Sequence, residues 1–132
     1  MDNEKILTAS GIRCLLTMKA LSRADGGARC IDIAAALKLS KPSVHNRMDS
    51  FVKSGLVRKS AYGMAYFTDA GREVAERYAR YYDAAYAMLA QNFPCADDLR
   101  DAVCLLLSEI PDEDLEALCQ KNRHASTRAA GA

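Results

Sequence analysis

Apolar residues between positions 31 and 54 recur with a helical period of about 3.6 in two short blocks. This spacing predicts a helix over residues 31–37 and a second helix from Lys41 to about Ser54, with a break at Leu39 and Ser40. The apolar face of the first helix comprises Ile33, Ala34 and Leu37. The apolar face of the second comprises Val44, Met48, Phe51 and Val52. Two helices joined by three or four residues are typical of a helix-turn-helix.

The ends of the second helix carry residues that helix ends favour. Ser40 can accept a hydrogen bond from a backbone N–H of the first turn, and Pro42 fits that turn because proline has no N–H to leave unpaired. Gly55 is suited to the C-terminal stop. Beyond it, residues 56–59 and 64–67 have the composition of two strands joined by a tight turn. The pattern therefore predicts a winged helix-turn-helix.

Further helices are predicted on both sides of this unit. Apolar spacing indicates a helix over about residues 8–22, a long helix over about residues 70–91, and shorter helices beginning at Asp97 and Pro111. The polar C-terminal end is predicted to be disordered. The fold class is thus mainly α. It comprises a winged helix-turn-helix DNA-binding domain (1–72), a helical dimerisation region (73–120) and a tail (121–132).

The helical region has more apolar surface than one protomer easily covers, which predicts a homodimer. Six residues are expected at its seam: Tyr78, Tyr82, Leu89, Val103, Leu106 and Leu107. Four clustered tyrosines, which include Tyr81 and Tyr86, allow either an effector pocket or amphipathic rings at the seam. A homodimer suits a palindromic DNA site, because paired helix-turn-helix units read two half-sites.

The net charge of +1 conceals an uneven distribution along the chain. Residues 1–72 carry 12 Lys or Arg against 6 Asp or Glu, whereas residues 73–132 carry 6 against 11. A basic half that holds the helix-turn-helix, followed by an acidic half, is expected of a DNA-binding unit attached to a protein-binding one. Double-stranded DNA is therefore the predicted partner.

The polar face of the second helix and the hairpin supply the candidate DNA contacts. Asn46 suits adenine and Arg47 suits guanine in the major groove, while serine and lysine side chains reach phosphates. Arg58, Lys59 and Tyr62 lie around the hairpin turn, where they can follow the DNA backbone or enter a minor groove. The full predicted set is Ser40, Lys41, Pro42, Ser43, His45, Asn46, Arg47, Ser50, Arg58, Lys59 and Tyr62. An ordinary solvated polar surface is the alternative.

Composition argues against several other classes of protein. The sequence has no apolar run of membrane-spanning length and no secretion signal, so a cytoplasmic protein without a membrane contact is expected. Five cysteines without a C-x-x-C spacing are expected to be reduced thiols, most of them in the core. With two histidines and no nucleophile–base grouping, an enzyme is not predicted. A winged helix that binds a partner protein is the alternative to DNA binding.

Five segments resemble the DtxR/MntR family of metal-dependent repressors in its short form. They are Leu21–Ala34, Leu39–Val44 (LSKPSV), Gly55–Val57 (GLV), Phe67–Arg72 (FTDAGR) and Ile110–Leu118. The predicted long helix follows directly after the wing, as it does in that family. The resemblance covers roughly residues 10–120 and implies a repressor that senses Mn²⁺ or Fe²⁺. MarR-type winged helices also use LSKPSV and are the second choice.

The metal ligands that this resemblance implies are not matched in the sequence. The corresponding positions hold Arg13, Leu16, Tyr82, Cys104, Leu107 and Ser108. Only Cys104 is a metal ligand here, whereas such a cation needs several oxygen or imidazole ligands. We therefore predict no metal cofactor, and Mn²⁺ or Fe²⁺ would bind only if this alignment is wrong. Cys14 and Cys104 near the vacated site allow a further hypothesis, the binding of a soft ion or oxidation.

Overall fold

The computed structural model describes the backbone of residues 7–131 and the side chains of residues 7–123. Within these residues six helices and three strands follow one another. They are α1 (Ala9–Leu21), β1 (Gly27–Arg29), α2 (Cys30–Leu37), α3 (Lys41–Lys53), β2 (Val57–Lys59), β3 (Met64–Phe67), α4 (Asp69–Asn92), α5 (Arg100–Glu109) and α6 (Asp112–Gly131). The predicted mainly α winged helix-turn-helix class is confirmed.

The chain divides into two compact units whose boundaries fall inside helices. The DNA-binding unit is Arg13–Arg77, and the helical unit joins the residues up to Ile12 to those from Tyr78 onward. The sequence instead places a boundary at residue 72 and assigns the N-terminal residues to the first domain. Apolar periodicity marks where helices begin and end. It does not show where along a continuous helix such as α1 or α4 the packing partners change.

Helix α3 is the recognition helix of the helix-turn-helix. Ser40 caps it, because its Oγ accepts a hydrogen bond from the Ser43 backbone N–H at 3.3 Å, and Gly55 follows its end with φ of 78°. Its buried face comprises Val44, Met48 and Phe51. Val52, predicted to be buried, is 42% exposed. At 100° per residue, Val52 lies about 80° around the helix from Val44, beyond the edge of the buried face.

The three strands form an antiparallel sheet in the order β1-β3-β2. Strand β1, which pairs Gly27 with Tyr66 and Arg29 with Met64, was not predicted. Three residues are too few to show a two-residue period, and this strand is defined only by its partner β3. The Cys30 N–H also donates to the Gly63 carbonyl at 2.9 Å, which ties the hairpin turn to the start of α2.

Helix α4 begins in close contact with the backbone that precedes β2. Thr68 Oγ1 accepts a hydrogen bond from the Gly71 N–H at 3.0 Å and donates one to the Gly55 carbonyl at 2.6 Å. The Thr68 N–H donates to the Leu56 carbonyl at 3.0 Å. A Cβ atom on Gly71 would overlap that same Leu56 carbonyl oxygen. Thr68 is therefore the cap of α4, and only glycine fits three residues later.

In the helical unit, tyrosines of α4 contact acidic residues of α6. The Tyr81 hydroxyl donates to Glu116 at 2.7 Å and the Tyr78 hydroxyl donates to Asp112 at 3.5 Å. The two tyrosine rings meet edge to face with centroids 5.3 Å apart. Arg80 completes the contact through an ion pair with Glu116 at 3.4 Å. These tyrosines therefore pack α6 onto α4, as expected of amphipathic rings at a helix–helix contact.

The last two helices differ from the predicted segments at their ends. Helix α5 begins at Arg100 and not at Asp97, because Leu99 turns inward and is 8% exposed. Helix α6 continues through Gly131, where the sequence predicts disorder over residues 121–132. The Lys, Arg, Gln and Ala residues of this end have high helix propensity, which favours a helix over the disorder predicted from the polar composition. Ala132 lies outside the described residues.

We predict that Gly71→Ala lowers the free energy of unfolding by about 1–3 kcal/mol, because the new methyl group has no room beside Leu56. Elsewhere in a helix the same change usually stabilises by about 0.5–1 kcal/mol. Urea unfolding followed by circular dichroism measures the difference.

Gly11→Ala is a matched control. Gly11 is likewise the third residue of its helix and likewise donates its N–H to a threonine, Thr8, at 3.0 Å. Its added Cβ would lie 3.2 Å from that oxygen, a contact that a small shift relieves. Equal effects of the two alanine substitutions would contradict the proposed close approach.

Candidate nucleic-acid interface

The exposed face of α3 forms a groove that brings the predicted base-reading residues together. The residues that line this groove, which encloses about 320 Å³, are Leu39, Ser43, Asn46, Arg47 and Ser50. Asn46 and Ser50 are exposed, while Ser43 and Arg47 are half-buried. The side chains follow a spacing of three and four residues, so they share one helix face. They therefore present one guanidinium, one amide and two hydroxyls on a single surface.

A basic cleft lies between the starts of α2 and α3 and the hairpin turn. It encloses about 480 Å³, and none of the described residues that line it is acidic. Its polar lining is formed by Arg23, Arg29, Lys41, His45 and Tyr62. Its apolar lining is formed by Cys30, Ile31, Val44 and Met64, together with the backbone of Gly63. Three cationic side chains around one opening suit the phosphates of a nucleic-acid backbone.

Arg23 and Arg29 were missed by the sequence analysis. Arg23 lies in the loop before β1, and Arg29 ends β1, a strand that the sequence pattern does not predict. The pairing of β1 with β3 places Arg29 opposite Met64, beside the hairpin turn. The excess of positive charge in residues 1–72 was the available signal, but it does not identify which cations converge.

Ser40 and Pro42 act first on the recognition helix itself. Ser40 is the cap described above, and its hydroxyl also lies 2.9 Å from the Ser43 hydroxyl. Pro42 occupies the first turn, where its ring restricts the backbone. Both are exposed, so either can contact a ligand at the helix start. Their local hydrogen bonding and backbone geometry also explain why the helix begins where it does.

Tyr62 is 93% exposed at the tip of the hairpin turn. The turn itself is stabilised by Ser60, whose Oγ accepts hydrogen bonds from the Tyr62 and Met64 N–H groups at 3.2 and 3.3 Å. Gly63 adopts a φ of 77°, which glycine tolerates because it has no Cβ. An exposed ring on a braced turn is suited to enter a groove or to lie along a backbone.

The two predicted cations of β2 lie on opposite faces of the sheet. Arg58 pairs with Tyr66, and its guanidinium lies over the Tyr66 ring, 4.9 Å from the centroid. Lys59 is directed to the recognition helix, where its Nζ lies 2.7 Å from Asp49 Oδ1 and 3.4 Å from His45 Nδ1. The sequence predicts a phosphate contact for each of them. Adjacent strand residues alternate between faces, so the two side chains are directed to different surfaces.

Four of the five cysteines are buried, and Cys95 is exposed. Burial raises the pKa of the Cys14 thiol to about 11, although Arg47 lowers it in part. Burial likewise raises the pKa of Cys30. The thiolate is the reactive and metal-binding form of cysteine. Cys14 is therefore poorly suited to the soft-metal or oxidation role that its pairing with Cys104 suggested.

The six positions implied as metal ligands by the DtxR/MntR resemblance include one cysteine and no histidine or carboxylate. Within the described side chains, no group of three or more His, Cys, Asp or Glu residues is placed to hold a metal ion. Arg13 is exposed and Cys104 is buried. Tyr82 lies where an imidazole would be required, and burial raises the pKa of its hydroxyl. A protonated phenol is a poor ligand for Mn²⁺ or Fe²⁺.

The predicted dimer seam needs a correction. Tyr78, Val103 and Leu107 are each at most 4% exposed within one protomer, so a partner cannot reach them. Tyr82, Leu89 and Leu106 are half-buried. The large apolar side chains that the helical unit leaves exposed are Tyr86, Phe93 and Leu105. Periodicity identifies apolar faces, but it does not show which of them the protomer covers itself.

The helix-turn-helix matches a known family model. Residues 13–61, less than half of the chain, match the IclR helix-turn-helix domain. The matching family is thus not the DtxR/MntR family suggested by the motifs. No curated protein matches the chain significantly.

Two solved structures share the fold. One is IdeR of T. acidophilum, a DtxR-family protein, with a TM-score of 0.59 at 17% identity over 81% of this chain. The present chain spans about half of that protein, 52% of its length. The other is the hypothetical protein SSo2273 of Sulfolobus solfataricus, with a TM-score of 0.59 and 23% identity, covering 87% of this chain and 88% of that one. At these identities the likeness concerns the fold.

The family match and the winged-helix fold together define the coarse function. The chain is a DNA-binding transcriptional regulator. Its helix-turn-helix carries the groove and the basic cleft described above. Among the described residues, no helix is long and apolar enough to cross a lipid bilayer.

We predict that Arg47→Ala weakens binding to the preferred DNA site by about 1–3 kcal/mol and relaxes the base preference at one position, because a bidentate contact to guanine is lost. Competition binding with single-base variants of the site measures both effects.

Arg47→Lys is the control, since lysine keeps the positive charge but not the planar, two-pronged donor. A base-reading arginine is not rescued by lysine. Equal weakening on all sequences, with rescue by lysine, would mean that Arg47 contacts a phosphate.

Proposed function

We propose that this regulator is a homodimeric repressor that binds a palindromic DNA site without a metal cofactor. The observation that carries the proposal is the groove on α3, where Ser43, Asn46 and Arg47 face outward beside the basic cleft. Donors and acceptors in the groove suit base edges, and the cations of the cleft suit phosphates. Repression then requires only that the dimer occupy its site. No catalytic role is proposed.

The DNA backbone is expected to pass over the basic cleft. Lys41 at the start of α3 and Arg29 at the end of β1 supply cations from two different elements. Tyr62 extends from the hairpin turn at the same opening. A phosphate that is contacted from both elements fixes the register of the recognition helix, so that Arg47 meets the intended base pair.

We further propose that the likeness to DtxR/MntR-type regulators extends to the arrangement of helices and not to metal sensing. The donors present do not match the needs of Mn²⁺ or Fe²⁺, because Arg13 and Leu16 offer no ligand atom and Tyr82 replaces an imidazole. DNA binding is accordingly expected to be independent of these ions.

The homodimer is supported by the apolar side chains that the helical unit leaves exposed. Phe93, which directly follows α4, is 57% exposed. Leu105, within α5, is 56% exposed. A contiguous exposed apolar patch is typical of protein interfaces, and these side chains are the candidates for one. Two helix-turn-helix units held together in this way would read two half-sites of a palindrome.

The function is tested by selecting genomic duplex fragments with the purified, reduced protein, in the presence and absence of Mn²⁺. We expect the same palindromic motif to be enriched in both conditions. Enrichment only with Mn²⁺ would show that a metal site exists and that the ligand comparison is misaligned. No enrichment in either condition would favour a winged helix that binds a protein partner.

We predict that Leu105→Asp shifts the protein from dimer to monomer, because a carboxylate would be buried at the seam. Analytical ultracentrifugation measures the change, and binding to a palindromic duplex should weaken more than binding to a half-site.

Ile31→Asp is the matched control for oligomeric state. Ile31 is 55% exposed, like Leu105, but it belongs to the DNA-binding unit. A dimer that survives Leu105→Asp, or that is lost with Ile31→Asp, would place the interface elsewhere.

A further inference from the structure

The recognition helix and the hairpin are joined by an ion pair that lies beside the DNA-reading surface. Lys59 Nζ lies 2.7 Å from Asp49 Oδ1. Asp49 follows His45 by one helical turn, and His45 Nδ1 lies 3.4 Å from the same ammonium. The hydrogen bond from Lys59 lowers the pKa of Asp49 below its ordinary value, so the carboxylate is ionised at neutral pH. Lys59 is thus directed toward two groups of α3.

This arrangement has a consequence for DNA affinity. Binding to DNA without regard to sequence comes from cations that neutralise phosphates and release counterions. A lysine that donates to a carboxylate has part of its charge compensated before it meets a phosphate, and the pair as a whole is neutral. The cations of the basic cleft, by contrast, have no acidic residue among the described residues that line the cleft with them. Lys59 is therefore a cation of this surface whose charge is neutralised by a carboxylate of the same protein, that of Asp49.

Asp49 has no evident structural need for Lys59. The carboxylate is 57% exposed, and α3 is already held by its Ser40 cap and its three buried apolar residues. An exposed ion pair of this kind contributes little to stability. An acidic residue on a DNA-reading helix also repels phosphates. The ion pair is therefore better explained by its effect on DNA binding than by its effect on folding.

We propose that Asp49 is a specificity-determining residue, which holds Lys59 away from the DNA backbone and so lowers the affinity for random sequence. Phosphate contacts supply essentially all of the affinity for random sequence, so a Lys59 that is held by Asp49 contributes less to that affinity. This inference rests on the proposed DNA-reading role of α3. It makes Lys59 an internal partner of the recognition helix and leaves the backbone contacts to the cleft.

The test is the salt dependence of binding to a random-sequence duplex for wild type, Asp49→Asn, Lys59→Gln and the double variant. Each phosphate contacted adds about 0.9 to the slope of log K against log salt concentration. We expect Asp49→Asn to steepen the slope by about 0.9, because Lys59 is released. Between 50 and 200 mM salt this corresponds to a further loss of affinity of about 3.5-fold. Lys59→Gln alone should not steepen the slope, and it should weaken binding because it leaves the Asp49 carboxylate unpaired.

The double variant separates release of Lys59 from simple removal of a negative charge. If Asp49→Asn acts through Lys59, its effect disappears when Lys59 is glutamine. Asp32→Asn removes the same charge from an exposed residue of the same unit and should not alter the slope. Native circular dichroism spectra establish that each variant is folded.

Two results would overturn the proposal. They are an unchanged slope with Asp49→Asn and an effect of Asp49→Asn on the slope that persists without Lys59. These failures are distinct from failure of the proposed function. If the proposed function fails, the wild-type protein shows no salt-dependent binding to any duplex. If only the role of Asp49 fails, the wild-type protein binds DNA and the slopes of the variants differ from those expected.

Discussion

The DNA-reading surface depends on the pairing of the short strand β3 with a strand on each side. Strand β1 joins the hairpin of β2 and β3 to the segment that leads into α2. With it, the hairpin turn is held against the start of α2 through the hydrogen bond between Cys30 and Gly63. That attachment forms one side of the basic cleft and brings Arg29 beside the turn. A few backbone hydrogen bonds thus help to position the cationic side chains around the cleft.

Charge on this surface is distributed unequally between its two parts. The cleft gathers Arg23, Arg29 and Lys41 without a carboxylate among its described lining residues, so it retains a positive potential. At the junction of α3 with the hairpin, Asp49 neutralises Lys59. The first arrangement favours any phosphate backbone. The second restrains binding that does not depend on base sequence.

The comparisons illustrate why fold and function have to be argued separately here. The helix-turn-helix matches the IclR type over residues 13–61, whereas the fold resembles a DtxR-family protein. A winged helix can carry many regulatory inputs, because the input resides in residues added to a common DNA-binding framework. In this chain the helical unit offers tyrosines that pack onto α6 and apolar side chains that remain exposed. Its chemistry fits association with another chain better than metal coordination.

The sequence by itself determined the helix-turn-helix, the hairpin and the long helix. Local signals specify these elements, namely the Ser40 cap, the period of Val44, Met48 and Phe51, and glycines at turn positions. The tertiary structure decided what depends on distant residues. Strand β1 exists only through pairing with β3, and burial of Val103 and Leu107 depends on the helices packed around them. The partner of Lys59 lies ten residues earlier, on another element. Periodicity describes one element at a time, so it cannot show which faces and charges meet.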